Sequence, residues 1–96
     1  TLPLIASGAD GVISVVANAY PKDFSDMVRH ALVHDLKTAQ KLHYKLMEIT
    51  EQLFADGNPG GVKVVLAQKK ITQATVRLPL VEPNDAVKAK LKKIAY

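Results

Sequence analysis

A chain of 96 residues, 48% hydrophobic and 23% charged, has the composition of one small globular domain rather than of a disordered segment. Thirteen basic against nine acidic residues leave a mild net charge of +4, and the absence of cysteine excludes disulfides, thiolate metal sites and thiol nucleophiles. No apolar run approaches the roughly 20 residues of a membrane span, and no charged n-region precedes an apolar stretch.

In chain order, residues 2–7 are apolar with Pro3 near the start and read as the last turns of a helix stopped by Gly8. Gly11-Val12-Ile13-Ser14-Val15-Val16-Ala17 is a nearly continuous β-branched run bounded by Gly11 and Asn18. It predicts a strand buried on both faces, the signature of a parallel sheet. Pro21-Lys22-Asp23-Phe24 reads as a helix start. Phe24, Met27, Val28, Ala31 and Leu32 form its apolar stripe, and His34-Asp35 breaks it. A long helix is predicted from Leu36 to Phe54, with Ala39, Leu42, Leu46, Ile49 and Leu53 on one seam.

Residues 56–61 form a loop by composition, and Val62, Val65 and Leu66 begin another short helix. Residues 72–82 read as irregular or extended, with Pro79 inside. Asn84 caps a last helix whose buried face is Val87, Leu91 and Ile94. One strand buried on both faces needs neighbours for its backbone hydrogen bonds. Thr75-Val76-Arg77-Leu78 is too short to serve, and Pro79 truncates it. The helix–strand–helix order matches the closing unit of an alternating βα fold. The opening Thr1-Leu2-Pro3-Leu4, without Met, reads as the middle of a longer chain. The expectation is therefore a fragment of a larger α/β protein, or one piece of an assembly.

Three motifs in register carry a resemblance to the dihydrodipicolinate synthase family. Gly11 to Asn18 is similar to that family's eighth strand, commonly GVISVTAN. Leu53-Phe54, Asn58-Pro59 and Val62-Lys63 resemble its LF…NPxPVK segment, and residues 76–81 resemble RLPLV. The order and spacing agree over nearly all 96 residues. Three departures touch only local backbone: Gly60-Gly61 stands where the family often has an apolar residue and proline. Val16 replaces a common threonine, and His34 stands where glycine is frequent, at the close of the first long helix.

The resemblance implies an α/β fold: the C-terminal part of a (β/α)8 barrel plus a C-terminal helical extension, the chain itself being mostly α-helical. Residues 1–34 would be the end of the barrel (helix 7 end, strand 8, helix 8) and residues 35–96 the extension. It further implies a cytoplasmic, homotetrameric lyase of lysine and diaminopimelate biosynthesis that condenses pyruvate with aspartate semialdehyde through a Schiff base, without a cofactor. The Schiff-base lysine, the proton-relaying tyrosine, the threonine pair and the substrate arginine would all lie upstream. No catalytic residue is therefore expected in these 96 residues, and alone they should be inert. The one contact that transfers is Ile13, whose backbone would touch bound pyruvate. Barrel active sites gather at the C-terminal ends of the strands. Two other readings remain: a related pyruvate aldolase of the N-acetylneuraminate or keto-deoxy-sugar type, and a free-standing helical interaction module.

The remaining chemistry-bearing residues have plainer readings. Lys63 would need a depressed pKa to form a Schiff base, and the family's matching lysine is not the catalytic one. Residues 57–63 miss the phosphate-loop pattern, because Val62 separates Gly61 from Lys63 and Val64 follows. His30 and His34, four apart, lack a third metal ligand, and His43 lies off the helix seam. Asp23 with Asp26, and Glu48 with Glu51, are spaced as solubilising pairs on helix faces. Lys88, Lys90, Lys92 and Lys93, with only Tyr96 nearby, suit a solvated helix end rather than nucleic acid. The seam from Ala39 to Leu53 is expected to be the surface most exposed without a barrel, and to drive self-association.

Overall fold

A computed structural model describes all residues, Thr1–Tyr96. Six helices follow one another: α1 (Leu2–Ala6), α2 (Val16–Ala19), α3 (Pro21–Leu32), α4 (Leu36–Phe54), α5 (Gly60–Gln68) and α6 (Asp85–Ile94). Two compact units divide the chain, Thr1–Met47 and Glu48–Tyr96.

In the first unit α1 and α2 both pack on α3. Proline in the first turn of α1 and of α3 costs no hydrogen bond there and presets the helical φ. The stripe predicted for α3 is the face that is covered: Phe24, Met27 and Ala31 are buried, alongside Leu2 and Ile5 of α1. The opposite side of α3 is laced by Asp26, which accepts from Lys22 at 2.9 Å and from Arg29 at 3.0 Å. Asp23 pairs with Lys45 of α4 at 3.1 Å.

Three helices end in the same way. At α1, the Gly8 N–H donates to the Ile5 carbonyl and the Ala9 N–H to Leu4. At α3, His34 donates to Ala31 and Asp35 to His30; at α5, Lys70 donates to Ala67 and Ile71 to Leu66. Each is the paired closure that requires a left-handed residue just past the cap. The φ values there are 112° at Gly8, 65° at His34 and 59° at Lys70. Glycine meets this conformation freely, whereas a side chain meets its own carbonyl.

In the second unit α5 packs on α6. Leu53, Val65 and Leu91 are fully enclosed, with Ile49, Val62 and Val64 beside them in burial. The α5 helix begins at Gly60, not Val62 as the loop-like composition suggests. Both glycines are buried. A Cβ on Gly61 would stand 2.9 Å from Cα and C of Leu53 and nearer still to its carbonyl oxygen. The backbones of α4 and α5 touch here, and only glycine admits that approach. The loop from Ile71 to Pro83 is without regular structure. Lys63 Nζ donates to the Thr75 carbonyl within it, and Asp56 accepts the Asn84 N–H at 2.6 Å at its end. Asn84 caps α6 as predicted, its side chain accepting from the Val87 N–H at 2.9 Å.

Two expectations are corrected. The strand over 11–17 does not form: residues 11–14 are irregular, and Val16-Ala17 open the short helix α2. A strand exists only through a ladder, and no segment of the 96 residues supplies one. The long-helix seam is not exposed either. Ala39, Leu46, Ile49 and Leu53 lie between 0% and 3% exposed, so it is not the surface that would drive self-association.

Two sets of substitutions test these backbone arguments. His34→Gly and Lys70→Gly should each stabilise the chain by about 1 kcal/mol in urea denaturation, because they relieve the left-handed residue. Gly61→Ala should destabilise it by about 1–3 kcal/mol, because Leu53 must shift. Equal small effects at all three positions would contradict both readings.

Candidate functional site

The segment Gly11–Ser14 is where sequence and structure diverge, and it is also the segment that carries Ile13. The backbone groups of Gly11, Val12 and Ile13 have no hydrogen-bond partner within the chain. The Ile13 side chain is wholly exposed and Val12 is 44% exposed. Ser14 then turns the chain: its Oγ accepts from the Ala17 N–H at 3.2 Å. Asn18 Nδ2 reaches back to the Val15 carbonyl at 3.1 Å. A serine hydroxyl bonding three residues on offers the backbone a helical start in place of a ladder.

Beside this segment lies an open groove of about 340 Å³, lined by Gly11, Val12, Ser14 and Ala17 on one side and Phe24, Ser25, Val28 and Arg29 of α3 on the other. Its walls are mainly apolar. The polar groups on them, Ser14, Ser25 and Arg29, were not singled out from the sequence. The i, i+4 spacing of Ser25 and Arg29 was the signal that places them on one face of α3. Arg29 is already engaged by Asp26.

The other residues weighed above are spread apart. Lys63 stands at the start of α5, tied to the Thr75 carbonyl. His30 Nδ1 lies 3.0 Å from Asp35 Oδ2, while His34 occupies the left-handed closing turn. His43 meets Tyr44 edge-on at 5.3 Å. No three His, Asp or Glu side chains gather as a metal cluster. Glu48 pairs with Lys90 at 3.5 Å and Glu82 with Lys88 at 3.3 Å, so two of the four terminal lysines are neutralised locally. No helix is long and apolar enough to cross a membrane.

Both oxygens of Asp35 are engaged. It caps α4 by accepting from the Thr38 N–H at 3.3 Å while its second oxygen faces His30. Hydrogen bonds from the Thr38 side chain, then the Thr38 N–H and His30, hold its carboxyl below the usual 3.8. On α3, the hydrogen bond from Lys22 likewise lowers Asp26 and raises Lys22.

The chain matches the model of the Dihydrodipicolinate synthetase family over residues 1–96. The 4-hydroxy-tetrahydrodipicolinate synthase of Flavobacterium psychrophilum is 46% identical over 91 residues, covering 95% of this chain and 31% of that protein. Its counterpart from Methanocaldococcus jannaschii is 43% identical over 94 residues, covering 98% and 32%. Among solved structures, a dihydrodipicolinate synthase superposes with a TM-score of 0.94 at 42% identity, over 98% of this chain and 33% of that one. The synthase from Aquifex aeolicus gives 0.93 at 36% identity, over 98% and 32%. One described as the first monomeric dihydrodipicolinate synthase variant gives 0.93 at 32%, over 98% and 31%.

These neighbours are (β/α)8-barrel enzymes, and the helices described above superpose on a third of such a barrel chain. The chain belongs to the dihydrodipicolinate synthetase family. It spans about a third of the length of the curated relatives it matches.

Asp35 gives a pH prediction. Its folded pKa is depressed, so its stabilisation is complete above the unfolded-state carboxylate range and is lost as pH falls through the lower folded value. Asp35→Asn should flatten the acid limb of a thermal-stability profile of the chain while leaving the neutral region nearly parallel to wild type. An unchanged acid limb would remove Asp35 from the account.

Proposed function

We propose that these 96 residues are the C-terminal third of a dihydrodipicolinate synthase-type lyase. Residues 1–34 close the barrel with its last strand and helix, and residues 35–96 form the helical extension. The parent enzyme condenses pyruvate with aspartate semialdehyde to 4-hydroxy-tetrahydrodipicolinate, in the cytoplasmic route to diaminopimelate and lysine, and assembles as a homotetramer. The observation that carries this reading is the match of 95% of the chain, at 46% identity, to a 4-hydroxy-tetrahydrodipicolinate synthase. The three motifs in register add to it.

In this reading Gly11–Ala17 becomes the eighth strand once its neighbours supply a ladder. The backbone of Ile13 then contacts pyruvate at the C-terminal face of the barrel, where barrel chemistry is done. The free backbone groups of Gly11, Val12 and Ile13 are consistent with that role. The Schiff-base lysine and the tyrosine relay reside on upstream strands, so the chain alone is inert. Pyruvate meets the site only with the rest of the barrel present, and no cofactor takes part. A related N-acetylneuraminate or keto-deoxy-sugar aldolase shares the same pyruvate chemistry, and substrate choice would rest on upstream residues. The helical-module reading is disfavoured by the unpaired β-branched run.

The test is a borohydride trap. The chain is incubated with pyruvate, reduced, and weighed intact. No adduct is expected, since the lysine that forms the imine lies elsewhere. A stoichiometric adduct on one lysine, with Lys63 the first to map, would overturn this reading. A chimera in which this chain replaces the matching third of the Flavobacterium psychrophilum relative should form the adduct and consume aspartate semialdehyde. A folded chimera inactive with that substrate but active with a sugar-derived aldehyde would favour the aldolase.

A further inference from the structure

Two aspartates in this chain stand directly before glycine, in Asp10-Gly11 and Asp56-Gly57. Such a pair can react with itself. The backbone nitrogen that follows an aspartate can attack the side-chain carboxyl and close a cyclic succinimide, and glycine adds no Cβ to obstruct the approach. A helix interior prevents this by tying each N–H to the carbonyl four residues back. Asp23 and Asp26 lie within α3 in that way, and the carboxylate of Asp35 is held by Thr38 and His30. Asn58 is followed by Pro59, which has no N–H to offer.

The two aspartate–glycine pairs differ in what holds them. At the second, the Asp56 carboxylate accepts the Asn84 N–H at 2.6 Å, and the Gly57 N–H donates to the Phe54 carbonyl at 3.4 Å. Electrophile and nucleophile are both occupied. At the first, neither is. The closure of α1 ends with the Ala9 N–H, and the chain is irregular from there to Ser14. Asp10 is exposed and its carboxylate meets no donor in the chain. The Gly11 N–H is likewise without a partner. Nothing opposes the rotation that brings Asp10 Cγ onto the Gly11 nitrogen.

We propose that Asp10-Gly11 is a self-modifying site that isomerises to isoaspartate, with Asp56-Gly57 as its protected counterpart. The Gly11 nitrogen bonds to Asp10 Cγ. The carboxyl, in its protonated form, loses its hydroxyl, which leaves as water with the amide proton. Water then opens the ring at either carbonyl. Cleavage of the bond from nitrogen to Cγ restores aspartate. Cleavage of the bond from nitrogen to the α-carbonyl leaves the main chain running through Cβ and Cγ. Only water enters or leaves. The product carries one extra backbone carbon just before the Gly11–Ala17 run, which displaces the alternation of any strand the run enters. It also carries a free α-carboxylate. That group makes the site a substrate for carboxyl methylation by S-adenosylmethionine, in which the methyl passes from the sulfonium to a carboxylate oxygen and leaves a thioether.

The experiment incubates the 96-residue chain in dilute buffer at physiological temperature, with its helical circular dichroism checked throughout. Samples are labelled with an L-isoaspartyl methyltransferase and S-adenosylmethionine. Peptides are then assigned by electron-transfer fragmentation, which distinguishes isoaspartate from aspartate. Isoaspartate should accumulate at Asp10 about tenfold or more faster than at Asp56, the factor that one hydrogen bond to a charged group is worth. The succinimide, lighter by one water, should appear on the same peptide. Asp10→Glu should abolish the signal there, because closure would need a larger ring, and should leave Asp56 unchanged. Equal rates at the two pairs, or a faster reaction at Asp56, overturn the proposal. So does a silent Asp10 when a synthetic peptide of residues 7–14 isomerises under the same conditions, since the fold would then be holding the segment.

Discussion

A β-branched run with nowhere to send its hydrogen bonds governs this chain. Gly11 to Ala17 carries the side chains of a strand buried on both faces, but a strand is a relation between segments and not a property of one. Within the 96 residues the backbone groups of Gly11, Val12 and Ile13 are unpaired, and Ile13 is wholly exposed. Unpaired backbone groups are tolerable in water and costly when buried. The run therefore stays at the surface here, and Ser14 diverts its end into the short helix α2.

Everything around that run is more self-sufficient. An α-helix satisfies its own backbone, so α3, α4, α5 and α6 need only a cap at each end and one covered face. Asp35 and Asn84 supply two of the N-terminal caps. Left-handed residues at Gly8, His34 and Lys70 supply three C-terminal closures. Between the Gly11–Ala17 segment and α3 the chain leaves an open groove, with Val28 and part of Phe24 on its wall.

Much of this was legible in the sequence. The 3.6-residue periodicity of α3 and α4, the Pro21 start and the Asn84 cap are local signals, and each fell where the structure has it. His34 was legible as a helix-closing residue from the glycine that resembling sequences place there, and its φ of 65° gives the physical reason. The start of α5 was not legible. Gly60 and Gly61 read as loop residues by composition, whereas Gly61 is there to let α5 approach the Leu53 backbone. That requirement belongs to packing and leaves no periodic trace. The strand was misplaced for the opposite reason: its side chains suit a sheet, but no segment of the 96 residues supplies the ladder a strand needs. At the candidate site, Ile13 came from the resemblance alone, and the groove residues Ser25 and Arg29 were visible only as an i, i+4 pair.

The central claim is that Gly11–Ala17 is a barrel strand waiting for its neighbours, and amide hydrogen exchange tests it most directly. The same seven amides are followed in the 96-residue chain and in the chimera that carries it on the Flavobacterium psychrophilum barrel. The account predicts rapid exchange at Gly11–Ile13 in the chain alone and strong protection across the run in the chimera, where the ladder is complete. Rapid exchange in a folded chimera would contradict it, because the run would then be a surface loop in both.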